Sequence, residues 1–105
     1  MFSVYNILVM KIYLKKFGTT LTSRQAGKEA FLAFQPPLSE IGINEPLEID
    51  FDGVVTFSPS WGDEFLTPLQ KEFEGRLAIK HGDNPSVQAT LKLLEKIHMI
   101  KFRRG

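Results

Sequence analysis

Two kinds of apolar periodicity alternate along this chain, and their order constrains the fold more than any other feature. Alternation with a period of two residues is typical of strands, and spacing of three to four residues is typical of helices. The strand-like segments are residues 10–17, 47–57 and 76–80, and the helix-like segments are 22–34, 58–73 and 84–100. Each strand-like segment is therefore followed by a helix-like one.

This β-α-β-α-β-α order predicts an α/β fold: a small mixed sheet whose neighbouring strands are parallel, joined by right-handed crossovers and carrying about three main helices. Residues 47–51, LEIDF, form the clearest strand, with Leu47, Ile49 and Phe51 on one side and two acids on the other. We expect an internal strand with those three side chains nearly fully buried, in a sheet with one face less covered by helices.

Local signals place the ends of these elements. Thr22 and Gln25 have the spacing of a capping box at the start of the first helix, and Pro36 and Pro37 should stop it. Gly75 should end the second helix, inside which Pro68 should produce a kink or an interruption. Asn84 and Pro85 suit the cap and the first position of the third helix, whose buried stripe we predict to be Val87, Leu91, Leu94 and Ile97.

Length and composition limit what the chain can be. Its 105 residues, 43% hydrophobic, suit a single domain, 1–105, with a core over about 10–98 and a frayed tail at 99–105. A short extra strand is predicted within residues 4–9. The net charge of +1 gives no reason to expect nucleic acid or membrane as a partner. The absence of cysteine and the lack of a signal-peptide pattern predict a cytoplasmic protein.

The segment FDGVVTFSPSWGDEF, residues 51–65, is the most informative for function. Ser58 followed by Pro59 fits a helix cap and first helical position, which would leave the hydroxyl of Ser60 exposed in the first turn. Both serines could serve structure alone. The functional alternative is that Ser60 accepts a phosphate, which a helix N-terminus would stabilise.

Trp61, Asp63 and Glu64 in this segment, and Arg24 in the first helix, are candidates for partner binding. We place Asp63 and Glu64 in the first turn of the second helix, where the helix dipole favours acids, and where they could also form an acidic patch. Trp61 is either a core anchor or an exposed contact. Arg24 starts the first helix and should pair with an acid or bind an anion.

The sequence predicts neither a metal site nor a cofactor. No Cys is present, and the two histidines, His81 and His98, lie in separate elements, where we expect them to be solvated or packed. No phosphate-binding loop and no nucleophile motif occurs, so we expect no catalytic activity.

These motifs resemble those of the STAS-like domain family of unknown function, which is related to the bacterial anti-sigma factor antagonist (STAS) domains. The matching positions are Asp50, Phe51, Gly53, Val54, Phe57, the Ser23–Arg24 pair at a helix start and the segment SPSWGDE at 58–64. This register puts Ser60 on the serine that the antagonists phosphorylate, although Ser58 and Pro59 replace the Asp-Ser that precedes it. Asp50, Asp52 and Gly53 would form a structural turn.

The resemblance implies a bacterial signalling domain in transcription regulation. It would bind a protein partner, a histidine-kinase-like ATPase, through Ser58, Trp61 and their surroundings, and phosphorylation of Ser60 would switch it. Two alternatives remain open. One is a small-ligand-binding or enzymatic domain that uses Asp50, Ser60, Asp63 and Glu64 around a shallow pocket, and the other is a structural oligomerisation module, including a homodimer.

Overall fold

The computed structural model describes residues 10–42 and 44–104. The strands are β1 Met10–Tyr13, β2 Thr20–Leu21, β3 Leu47–Asp50, β4 Thr56–Phe57, β5 Leu77–Lys80 and β6 Arg103–Arg104. The α-helices are α1 Arg24–Ala33, α2 Gln35–Leu38, α3 Pro59–Phe73 and α4 Pro85–His98, and 3-10 helices cover Leu14–Phe17 and Glu74–Arg76. The predicted strand at residues 4–9 lies outside the described residues.

The main sheet contains four strands in the order β1-β3-β5-β6. All three of its strand pairs are parallel, as is the separate pair of β2 with β4. The α/β prediction is confirmed. Within the described residues no strand pair is antiparallel, so the mixed character that we expected of the sheet is not seen there.

The helices α1, α3 and α4 cover one face of this sheet. Each crossover moves to the next strand in the same direction, and right-handed crossovers then place every helix on the same side. The apolar rows Ile12–Ile49–Ile79 and Met10–Leu47–Leu77 face the helices, and most of these side chains are fully buried. On the other face, Lys11 and Tyr13 are exposed and Glu48 is half-buried, which confirms the prediction of one less covered face.

Strand β3 is internal, between β1 and β5, as predicted. Leu47, Ile49 and Phe51 are 0%, 0% and 2% exposed. Asp50 differs from the expected solvent-facing acid, because its side chain is buried at the end of the strand.

Helix α1 begins one residue later than predicted. Its cap is Ser23, whose hydroxyl accepts a hydrogen bond from Ala26 N–H, so the Thr22–Gln25 capping box is wrong. The side chain of Gln25 instead donates to Glu29. Helix α1 ends at Ala33, before Pro36 and Pro37, as predicted. These prolines lie in the short helix α2, at first-turn positions whose missing N–H costs no helical hydrogen bond.

Helix α3 runs without interruption through Pro68 and ends at Phe73. The left-handed residue that follows is Glu74, at φ 47°, and not the predicted Gly75. In α4, the cap Asn84 and the first-position Pro85 are confirmed. Of the predicted buried stripe of α4, Val87, Leu91 and Leu94 are buried. Ile97, in the last turn of the helix, is 59% exposed, so this part of the prediction is wrong.

The C-terminal segment is not the frayed tail that we predicted. Phe102 is 1% exposed, and β6 adds a parallel strand to the edge of β5. The carboxylate of Glu95 anchors this segment, accepting hydrogen bonds from Phe102 N–H at 2.8 Å and from the Arg104 guanidinium at 2.9 Å. The burial of one aromatic side chain therefore extends the core beyond residue 98.

Candidate functional site

Ser58 caps α3, as predicted. Its hydroxyl accepts a hydrogen bond from Trp61 N–H at 3.2 Å and donates one to the carbonyl of Thr22 at 2.7 Å. Pro59 occupies the first helical position. Because the donor and the acceptor of the Ser58 hydroxyl are both used, this side chain joins the start of α3 to the segment before α1.

Ser60 lies at the second helical position of α3. Its side chain is half-buried, where we expected it to be exposed. Its hydroxyl makes no hydrogen bond to any residue that the structure describes, and its N–H has no acceptor one helical turn earlier within α3. The capping role therefore belongs to Ser58, and Ser60 is not needed for it.

Trp61 is a core residue and not an exposed partner contact, which corrects one of its two predicted roles. It is 1% exposed, and its ring centroid lies 4.9 Å from that of Phe65 and 6.0 Å from that of Phe57. A partner protein cannot reach this side chain in the folded domain.

Asp63 and Glu64 lie in the second turn of α3 and not in the first, so the helix-dipole argument for them is wrong. Arg24 holds both: its Nη1 lies 2.7 Å from Glu64 Oε2 and 3.3 Å from Asp63 Oδ2. This confirms the predicted ion pair of Arg24 with an acid. His98, which we expected to be merely solvated or packed, places its Nε2 2.6 Å from Asp63 Oδ1.

These four side chains form a cluster, Arg24–Glu64–Asp63–His98, that links α1, α3 and the end of α4. Burial alone would raise the pKa of Asp63, but its hydrogen bonds with His98 and Arg24 outweigh burial and hold that pKa below its usual range. The pKa of Arg24 is raised by hydrogen bonds to Glu64 and Asp63. Both groups therefore stay charged near neutral pH.

A groove of about 460 Å³ lies beside this cluster, between α1 and α3, and we call it the α1–α3 groove. Phe31, Leu32 and Pro68 provide apolar surface, and Leu32 is 57% exposed. Its other lining residues are Lys28, Asp63, Glu64, Thr67, Lys71 and His98. Within the described part of the chain, Lys28 and Lys71 have no acidic partner in ion-pair range.

Asp50, Asp52 and Gly53 form the predicted turn at the end of β3. Asp52 N–H donates to Asp50 Oδ1 at 2.9 Å, and Gly53 adopts φ 86°, which glycine tolerates best. Burial would raise the pKa of Asp50, but hydrogen bonds from Asp52 N–H and from His81 lower it overall. His81 Nδ1 lies 2.9 Å from the same carboxylate oxygen.

The structure divides the predicted site residues into two places. Asp63 and Glu64 line the α1–α3 groove, whereas Asp50 lines a different pocket, on the less covered face of the sheet. An Asp–His contact that the sequence did not predict occurs in each place. The Asp50–His81 contact had a usable signal, because the carboxyl ends of neighbouring parallel strands meet at one edge.

No family model, curated protein or solved structure matches the chain. Across residues 10–42 and 44–104, no helix is long and apolar enough to cross a membrane. Nor does any group of three or more potential metal ligands occur in that part of the chain.

Proposed function

We propose that this chain is a regulatory protein–protein interaction domain of the STAS-like kind, with Ser60 as its modifiable centre. The observation that carries the proposal is the division of labour between the two serines. Ser58 makes both hydrogen bonds of the cap, and the half-buried Ser60 hydroxyl has no partner among the described residues. A hydroxyl at a helix start that is not used for capping is available for modification.

A phosphate on Ser60 would be repelled by the acids one turn further along α3 if their charge were unpaired. The nearby acids Asp63 and Glu64 contact Arg24, and Asp63 also contacts His98, so their negative field is partly compensated. Ser60 and Glu64 are four residues apart on one helix and share a face. A phosphate on Ser60 would compete with Glu64 for the Arg24 guanidinium, and this competition couples the modification to the contact between α1 and α3.

The α1–α3 groove is the docking surface in this proposal. It lies along the face of α3 that carries Ser60, Glu64 and Lys71, since these residues are separated by four and seven positions. A fitting partner segment brings a large apolar side chain to Leu32 and acids toward Lys28 and Lys71. In line with the resemblance, we propose a histidine-kinase-like ATPase as the protein that carries this segment.

A second candidate function is self-association through α4. Leu93 and Ile97 are four residues apart and 41% and 59% exposed, and Met99 follows at 91%. Leu93 and Ile97 on α4, with Met99 directly after the helix end, form an apolar strip that suits a homodimer contact. In contrast, the proposed ligand site of Asp50, Ser60, Asp63 and Glu64 has no support, because the groove and the pocket on the sheet face hold these acids apart.

The experiment compares binding by four forms of the domain: wild type, Leu32→Glu, Val55→Glu and Ser60→Asp. Val55 is the matched control, because it is 61% exposed where Leu32 is 57% exposed and it does not line the groove. Each immobilised form is tested against proteins of the source cell. The expected result is a partner retained by wild type and Val55→Glu and lost by Leu32→Glu and Ser60→Asp.

Retention of the same proteins by all four forms contradicts the docking surface. If Leu32→Glu loses the partner and Ser60→Asp still retains it, the groove is supported as the docking surface and Ser60 is not the switch. Sedimentation of wild type and Ile97→Glu tests the α4 contact separately, since only a dimer held by α4 would dissociate in that variant.

A further inference from the structure

Asp50 and His81 lie at the carboxyl edge of the parallel sheet, away from Ser60 and the α1–α3 groove. Asp50 ends β3, in register with Lys80 at the end of β5, and His81 is the next residue. In open α/β sheets, ligands bind outside the carboxyl ends of the strands. This edge is therefore the place in the fold where a second site is expected.

Asp50 determines which nitrogen of the His81 ring carries the proton. Asp50 is 5% exposed, and its carboxylate oxygen lies 2.9 Å from Nδ1. A carboxylate can only accept, so Nδ1–H donates, and in the neutral form of the ring the lone pair is on Nε2. The His81 side chain is 66% exposed, and its Nε2 makes no hydrogen bond with any described residue. The result is an oriented ring whose nucleophilic nitrogen faces solvent.

The backbone at this position is compatible with a histidine. His81 adopts φ 56°, in the left-handed region. Asn, Asp and His are the non-glycine residues enriched there. A site at His81 is therefore indicated only by its contact with Asp50 and by the pocket in front of the ring.

A pocket of about 420 Å³ lies in front of the ring. Its cations are Lys11, which pairs with Glu48 at 3.8 Å, and Lys80, which has no acidic partner in ion-pair range within the described residues. Three acids also line the pocket: Glu48, Asp50 and Asp83. Glu48 pairs with Lys11 and Asp50 contacts His81, so Asp83 is the acid that opposes an anion. Lys80 therefore provides the uncommitted positive charge beside His81.

We propose that His81 Nε2 is a phosphoryl-accepting nucleophile, with Asp50 as its positioning residue and a nitrogen-linked phosphoryl compound as its donor. The Nε2 lone pair attacks phosphorus and forms a new P–N bond. The P–N bond of the donor breaks, and the departing amine keeps its electron pair and takes up a proton from solvent. The ring becomes positively charged and is stabilised by the Asp50 carboxylate at Nδ1–H, while Lys80 faces the phosphate. This proposal is independent of the one for Ser60.

His98 is an internal control in the same chain. Its Nε2 is already bound to Asp63 at 2.6 Å, and its side chain is only 23% exposed. The probe is phosphoramidate, added to the intact protein at neutral pH and quenched in alkali, where phosphohistidine persists. Mass spectrometry locates the phosphate, and phosphorus NMR distinguishes the two ring nitrogens.

We expect phosphate on His81 Nε2, formed at least about tenfold faster than on His98, because the Nε2 of His98 must first leave its hydrogen bond with the Asp63 carboxylate. His81→Gln should remove the fast phase and leave the slow reaction of His98 unchanged. Asp50→Asn should slow the reaction and give a mixture of Nε2 and Nδ1 products, a change that a purely structural role would not produce.

If Asp50→Asn fails to fold by circular dichroism, Lys80→Ala, a half-buried surface change, should still slow the fast phase. Equal rates at the two histidines, or modification at Nδ1 in wild type, would overturn the proposal.

Discussion

At the scale of single residues, position in the helix separates two serines that look alike in sequence. Ser58 has the extended backbone of a cap, at φ −95° and ψ 156°, and its hydroxyl reaches both Trp61 N–H and the Thr22 carbonyl. Ser60, two residues later, points its hydroxyl at no described partner. One serine therefore caps the helix, and the other is not needed for the cap.

Replacing each serine by alanine should separate these roles. Ser58→Ala removes the acceptor for an otherwise unpaired helix N–H and should lower the free energy of unfolding by about 1 kcal/mol. Ser60→Ala is the matched control and should change it by less than about 0.5 kcal/mol. Urea unfolding of both variants measures the difference. A larger loss with Ser60→Ala would show that Ser60 supports the fold.

At the scale of elements, α3 is the centre of the helix layer, and α1 approaches it closely at a glycine. A Cβ added to Gly27 would lie 2.6 Å from the carbonyl oxygen of Trp61, which belongs to the backbone and cannot rotate away. This close approach also brings Arg24, one turn earlier on α1, to the acids of α3.

Gly27→Ala should therefore destabilise the domain by about 1–3 kcal/mol, although alanine is the better helix former. Gly75→Ala is the control, since a Cβ there meets nothing within 4 Å, and it should be neutral or slightly stabilising. Thermal unfolding of the two variants gives the comparison. Equal stability of the two would mean that α1 can move away from α3 at little cost.

The cluster Arg24–Glu64–Asp63–His98 should make part of the free energy of unfolding depend on pH. The folded pKa of Asp63 lies below its unfolded value, so its contribution is complete above about pH 4 and is lost as pH falls through the folded pKa. Asp63→Asn should therefore be less stable than wild type at neutral pH, and the difference should shrink in acid. Unfolding curves between neutral pH and about pH 2 measure this change. A difference that stays constant over that range would contradict the role of the Asp63 carboxylate.

At the scale of the whole molecule, the C-terminal segment closes the core. Phe102 belongs to the hydrophobic core cluster of the described residues, and Gln70 on α3 donates to the carbonyl of Lys101 at 3.2 Å. Strand β6 is only two residues long, so its anchoring depends on these contacts and on Glu95.

Phe102→Ala should cost about 3–5 kcal/mol, as for other buried aromatic residues. The neighbouring exposed residue gives the control, and Lys101→Ala should have little effect because its contact with Gln70 uses the backbone carbonyl. Chemical denaturation of both variants is the test. A negligible loss with Phe102→Ala would restore the prediction of a frayed tail.

The sequence determined by itself the features that depend on neighbours along the chain. Local periodicity and backbone preference account for the order of the three main strand–helix units and the inward row of β3. They also account for the Ser58–Pro59 and Asn84–Pro85 helix starts and the glycine turn at Gly53. These signals are local because hydrogen bonds to the nearest turns and alternation of side chains need only a few residues.

Only the tertiary structure decided what depends on residues far apart in sequence. Arg24 and Glu64 are 40 positions apart, Asp63 and His98 are 35 apart, and Asp50 and His81 are 31 apart. No periodicity encodes such contacts, because they depend on how the parallel strands are ordered and on how closely the helices pack. For the same reason the burial of Trp61, the exposure of Ile97 and the docking of Phe102 became clear only in the folded chain.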